Sequence, residues 1–186
     1  MRFAHTMLAT AALLMATASQ ATSFDVHALA NSSSGGLGLD TVSLAAGDTF
    51  SVSVAAGDLW NAGALPRWSN ADGLTGNLYA TGADDSGEAV GTLIGVNFGL
   101  HNQGNLSAAY GALVGQIGGG DYFVVGSNYS GTAATTGTLK LFYWDSNADD
   151  NSQFVSANVT AVPEPETYAL MLAGLAAVGF VARRRR

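Results

Sequence analysis

Between Thr22 and Ala161 the chain carries no helical period of useful length; its apolar residues alternate instead. Thr49 to Val54 places Phe50, Val52 and Val54 on one face and Thr49, Ser51 and Ser53 on the other. Successive side chains of a strand point to opposite faces, so this is the period of a half-buried strand. Ala46-Gly47-Asp48 before it has turn chemistry. Leu139 to Trp144 repeats the pattern, with Leu139, Leu141 and Tyr143 sharing a face. Tyr122 to Val125 and Phe154 to Val159 predict further strands, and Phe24 to Ala30 and Leu39 to Leu44 earlier ones. The middle, Asn77 to Ala108, is less regular: Asp84 to Gly87 predicts a loop and the apolar stretch Val90 to Leu100 a strand. Short strands separated by Gly and Asn turns point to an all-β, antiparallel β-sandwich.

Both ends of the chain differ from this middle. In Met1 to Ala21, Arg2 supplies a basic start, Met7 to Ala18 is apolar or small, and Ser19-Gln20-Ala21 offers small residues at a cleavage site. These features predict a secretory signal peptide, with Ala16-Thr17-Ala18 as an alternative site. At the other end, Val162 to Arg186 reads as a Pro163-Glu164-Pro165 turn, an uncharged apolar stretch from Tyr168 to Ala182, and Arg183, Arg184, Arg185 and Arg186. Basic residues favour the cytoplasmic side of a membrane, so everything upstream is expected outside it. Residues 162–186 closely resemble the PEP-CTERM sorting signal of exported bacterial proteins. The resemblance implies recognition by an exosortase, a membrane transpeptidase, after transient residence in the inner membrane. The expected localisation is the cell surface or the extracellular matrix. As a helix the apolar stretch spans about 22 Å, against about 30 Å for a bilayer core. A short C-terminal transmembrane helix, suited to later removal, is the expectation. Three segments follow: residues 1–21 as signal peptide, 22–161 as one domain, and 162–186 as sorting signal.

Without its ends the chain is strongly acidic. Residues 22–161 keep twelve acids against only Arg67 and Lys140, a balance of −10. No basic patch remains to meet a phosphate backbone, which argues against nucleic acid as a partner. Such a surface suits divalent cations. There is no cysteine, so an exported domain must rest on its core or on bound metal.

The densest chemistry lies at Asp145-Ser146-Asn147-Ala148-Asp149-Asp150-Asn151, where five carboxylates or amides fall within seven residues. Calcium takes six to eight oxygen ligands, and a tight loop can supply several. Asp145, Asn147 and Asp149 have the spacing that opens an EF-hand, but its sixth position holds Asp150 instead of glycine. Its twelfth holds Ser156 instead of glutamate. An EF-hand is excluded; a calcium loop of another kind and a solvated acidic hairpin loop both remain open.

Several blocks, in order, resemble the calcium-dependent galactose-binding lectins of the PA-IL type. They are Leu29-Ala30-Asn31, Ala55-Ala56-Gly57, the loop flanked by Trp60 and Trp68, Gly111 to Gly118, Leu141 to Tyr143, Asp145, Asp150-Asn151-Ser152 and Phe154. The resemblance covers most of residues 27 to 160, with an insertion around 77–108. It implies a jelly-roll, lectin-like sandwich and a calcium ion bridging the loop and a sugar. Asp145 would be the carboxylate ligand and Asp150 and Asn151 would take the places of two asparagines. A backbone carbonyl between Trp60 and Gly63 would complete the shell. Asp72 stands about where those lectins have a glutamine, and no histidine matches the one that touches sugar. Trp60 and Trp68 are candidate faces for a sugar ring. The site expectation is therefore Asp145, Asp150, Asn151, Asn147 and Asp149 for Ca2+, and Asp72, Trp60, Trp68, Asp145 and Asp150 for carbohydrate.

Other signals are weaker. Asp84, Asp85 and Glu88 are a candidate second cation site. His27 and His101 lack a Cys or His partner at metal-ligand spacing. No G-x-S-x-G occurs, and no Lys-Ser or Lys-Thr follows Gly118-Gly119-Gly120. The expectation is a non-enzymatic protein binding calcium and an extracellular glycan. A structural matrix protein without a ligand, or an extracellular hydrolase, is the alternative.

Overall fold

The computed structural model describes residues 21–35, 37–162 and 165–184, with residues 165–170 described by backbone alone. Two four-stranded antiparallel sheets carry the fold. The first is ordered β1 (Ala21–His27), β14 (Phe154–Val162), β3 (Thr49–Ser53) and β12 (Asn128–Thr132). The second is ordered β11 (Tyr122–Val124), β10 (Leu113–Ile117), β13 (Gly137–Tyr143) and β2 (Leu39–Leu44). The alternation read in the sequence explains how they close on each other. Phe50, Val52 and Val54 face inward together, as do Leu139, Leu141 and Tyr143. A single core joins Val26, Val52 and Val159 of one sheet to Leu113, Leu139 and Leu141 of the other. Each such side chain contributes about 1.5–3 kcal/mol on burial, so the sandwich needs no disulfide.

The remaining strands form short pairs: β4 (Trp60–Asn61) with β5 (Trp68–Ser69), β6 (Leu78–Tyr79) with β7 (Leu93–Gly95), and β8 (Leu100–Gln103) with β9 (Leu106–Ala109). The β8–β9 hairpin covers the outer face of the second sheet. Ala108 packs there with Val114 and Trp144, and Trp144 Nε1 donates to the carbonyl of His101 at 3.0 Å. The predicted strand Val90 to Leu100 is corrected by this arrangement. Gly91 and Gly99 have φ of +84° and +85°, and Val90 is 77% exposed. The apolar run is therefore split between β7 and the start of β8. Likewise Phe24 to Ala30 ends early, because Asn31 N–H returns to the carbonyl of His27 at 2.9 Å and turns the chain.

β14 sets the orientation of the whole. At one end Phe154 pairs with His27; at the other Thr160 pairs with Ala21 and Val162 with Thr49. Nine residues of strand extend about 30 Å. Beyond Val162, α1 (Pro165–Arg184) ends with Arg183 and Arg184 in its last turn. Among the described residues no helix is long and apolar enough to cross a membrane. The C-terminal helix that the sequence predicts is present as α1. The predicted signal peptide up to Gln20, Pro163, Glu164, Arg185 and Arg186 lie outside the described residues.

Candidate cation-binding site

The acidic loop leaves β13 after Tyr143 and returns to β14 at Phe154, and its far side is stitched to the turn after Trp60. Asn61 N–H donates to Ser152 O at 3.0 Å and Ser152 N–H to Asn61 O at 3.1 Å. This exchange brings Asp150 against Gly63. A Cβ on Gly63 would overlap Asp150 Oδ2, and the residue has φ of +108°. Glycine is required there on both counts. The Asn61 side chain, itself buried, accepts from Gly63 N–H at 2.6 Å and holds the turn.

Asp145 and Asn151 form the floor. Asp145 is 6% exposed and Asn151 5%. Asp145 Oδ1 accepts from Ser146 N–H at 2.7 Å. Burial pushes the Asp145 carboxyl above its ordinary 3.8. The Ser146 N–H, the Asn151 amide beside it and the Asn147 N–H pull it back, and the charge of Asp150 raises it again. Desolvation prevails over three donors. Asn151 Nδ2 donates to Ala28 O at 3.3 Å, but Asn151 Oδ1 is buried with no hydrogen-bond partner among the described residues. A buried amide oxygen left unmade costs about 1–3 kcal/mol. The Tyr143 hydroxyl beneath is also without a partner among the described residues. Burial raises its pKa, with the charges of Asp145 and Asp150 adding to the effect.

A ring of groups surrounds this floor. Arg67 Nη1 approaches Asp150 Oδ2 at 3.5 Å and donates to Ala62 O at 3.4 Å, both long contacts. Its guanidinium lies 4.8 Å from the centre of the Phe98 ring. Tyr110, edge-on to Phe98, stands 3.4 Å through its hydroxyl from Ser146 Oγ. Asn147 Nδ2 reaches Asp150 Oδ1 at 3.4 Å, and Asp149 is exposed, held through its N–H to Asn147 Oδ1 at 3.3 Å. Sequence reasoning did not single out Arg67 as part of the site. Its rarity was the available signal.

Three predicted sugar-contact residues, Trp60, Asp72 and Trp68, are engaged elsewhere. Trp60 is fully buried, edge-on to Tyr143 at 4.5 Å, with Nε1 donating to Gly111 O at 2.9 Å. It is core, and its proposed sugar-facing role is corrected. Asp72 accepts from Ser127 N–H at 2.7 Å and Ser127 Oγ at 2.8 Å, which ties its loop to the segment after β11. Trp68 is half-buried against Leu59, Ala80 and Ile94.

Among the described residues no three His, Cys, Asp or Glu side chains are grouped to hold a metal by themselves. A cation here would draw on amide and backbone oxygens beside Asp145 and Asp150. The donor set is all oxygen, which fits a hard cation such as calcium. The orphaned Asn151 oxygen beside a desolvated carboxylate fits it as well.

The architecture thus defines an antiparallel β-sandwich with an oxygen-rich loop at the end opposite Val162. Residues 161–186 match the PEP-CTERM protein-sorting motif. That motif marks exported proteins sorted to the cell surface or extracellular space, and it implies processing by an exosortase. Among solved structures, the chain is similar to the EclA N-terminal domain, described as a PllA-like lectin. The identity is 21% over 75% of this chain and 95% of that one, with a TM-score of 0.47. That likeness is too distant to carry an argument about the site. No curated protein matches the chain.

Proposed function

We propose that this exported protein binds calcium through Asp145, Asp150 and Asn151, and through the ion a carbohydrate of its extracellular surroundings. The observation that carries the reading is Asn151 Oδ1, buried and unpartnered among the described residues, beside a carboxyl that burial has raised. Asn147 and Asp149 flank the loop as additional oxygens, and the carbonyls of the turn after Trp60 stand across from it. The lectin-like blocks in the sequence support the sugar half of the reading. The protein acts by binding, without an enzymatic reaction. With the sorting motif leaving from the Val162 end, the loop presents itself about 30 Å away, toward the surroundings.

Isothermal titration of the full chain with galactosides and matrix glycans, with and without calcium, tests this. Binding that requires calcium and disappears in Asp145→Ala is expected. Calcium binding without any glycan would remove the sugar half, and glycan binding indifferent to chelation would overturn the calcium bridge. The Arg67 contact to Asp150 favours a second reading, a loop that holds itself closed in a purely structural matrix protein. That reading predicts unchanged stability on chelation.

A further inference from the structure

A second cavity lies away from the acidic loop, at the open side of the sandwich where the edge strands β11 and β12 diverge. It has a volume of about 430 Å3, within the usual range of small-ligand sites. Ile117 forms the floor, Phe123 and Tyr129 the walls, and Asp121, Thr132 and Thr135 the rim. Gly120, from the glycine run that fits no nucleotide loop, lines it too.

The walls are held rigidly. Phe123 and Tyr129 have ring centres 5.1 Å apart, and Tyr129 also packs on Phe50 at 5.3 Å. Gly131 leaves room for the Tyr129 ring, since a Cβ there would stand 2.5 Å from the Tyr129 hydroxyl. The rim is polar and unengaged. Asp121, the Tyr129 hydroxyl and the Thr132 and Thr135 hydroxyls make no hydrogen bond among the described residues. Preformed aromatic walls beneath a ring of free donors and acceptors suit a ligand with apolar faces and hydroxyl edges. Charge narrows the class. Neither Arg67 nor Lys140 lines the cavity, so an anion would be desolvated beside Asp121 with no cation to meet it.

We propose that this cleft is a second binding site, taking a neutral saccharide without calcium. It is independent of the acidic loop and stands if that loop proves silent. The cleft lies near the end of the sandwich from which the C-terminal segment departs, because Thr132 pairs with Thr49 and Thr49 with Val162. Two sites at opposite ends of one domain would let it bridge polymer chains.

The test is saturation-transfer NMR on the full chain in EDTA and in a detergent without a sugar headgroup. Cellotriose and maltotriose serve as neutral probes, and trigalacturonate and triglucosamine as charged ones. At least one neutral trisaccharide is expected to bind, with shifts of the Tyr129 ring resonances. Tyr129→Phe keeps the ring packing and Asp121→Asn keeps the shape, so neither threatens the fold. Each is expected to weaken binding roughly fivefold or more. Failure of both neutral probes, tighter binding of either charged one, or unchanged affinity in both variants overturns the proposal.

Discussion

Two acidic loops of this protein have similar composition and opposite physical states. In the loop after Thr81, Asp84 is surrounded by donors. Its carboxylate takes the Ser86 hydroxyl and N–H and the Thr81 N–H and hydroxyl. The Ser86 hydroxyl, with these other donors, holds Asp84 well below the usual carboxylate range. In the loop after Trp144, burial raises Asp145, and the neighbouring Asn151 oxygen has no partner among the described residues. The first loop is complete in itself. Its carboxylate does the work of a turn, and the second cation site expected at Asp84, Asp85 and Glu88 is not proposed. Asp85 likewise accepts from Leu59 N–H at 3.0 Å. The second loop sets a desolvated carboxyl beside an amide oxygen that has no partner among the described residues, a feature typical of ligand sites.

Substitutions can break this contrast. Outside Asp145 itself, the largest effect is expected at Gly63, which has no side chain to offer an ion. In Gly63→Ala the new methyl displaces Asp150, and calcium affinity should fall by about tenfold or more, measured by titration calorimetry. Next is Asp84→Ala, which removes four acceptor contacts in a half-exposed loop. Solvent screens this carboxylate, so the loss expected in urea unfolding is only about 1 kcal/mol. Calcium binding should be unchanged.

A smaller effect of opposite sign is expected for Asp145→Asn without calcium. A raised carboxyl binds its proton more tightly in the folded protein than in the unfolded chain. Its ionisation therefore costs stability as pH rises from about 3.8 through the raised folded value. The uncharged amide of the variant avoids that cost, so the metal-free variant should melt higher than the parent at neutral pH. For Asp84, whose folded value is lowered, the contribution is present above 3.8 and lost on acidification through the folded value. Calcium binding by the parent should itself weaken as acid protonates Asp145. The smallest effect is Tyr143→Phe, which removes a buried, unpartnered hydroxyl and should raise stability by up to about 1 kcal/mol.

The sheet interior was legible because it obeys a period. Thr49 to Val54 and Leu139 to Trp144 alternate over enough residues to predict strands and faces. β10 and β12 escaped because glycines interrupt them. Gly115 makes room for Phe123, whose Cζ a Cβ would meet at 2.5 Å, and Gly131 makes room for the Tyr129 hydroxyl. These are contacts between side chains and backbone that no local pattern records. The site was legible as a loop: Asp150 lies against Gly63 in the turn after Trp60, and Asn151 lies beside Asp145. Its rim was not. Arg67 and Phe98 reach it through pairings of the 77–108 segment, and Trp60, judged by residue type, turned out to be core.

Thermal unfolding of the full chain against calcium concentration, with Asp145→Asn in parallel, tests the central claim most directly. A ligand bound only by the folded state stabilises by mass action, by about 2.7 kcal/mol at one hundred times its Kd. The parent should therefore melt at steadily higher temperature as calcium rises. Asp145→Asn should start higher without calcium and not respond to it. A parent unmoved by calcium, or a variant that responds equally, would contradict the account.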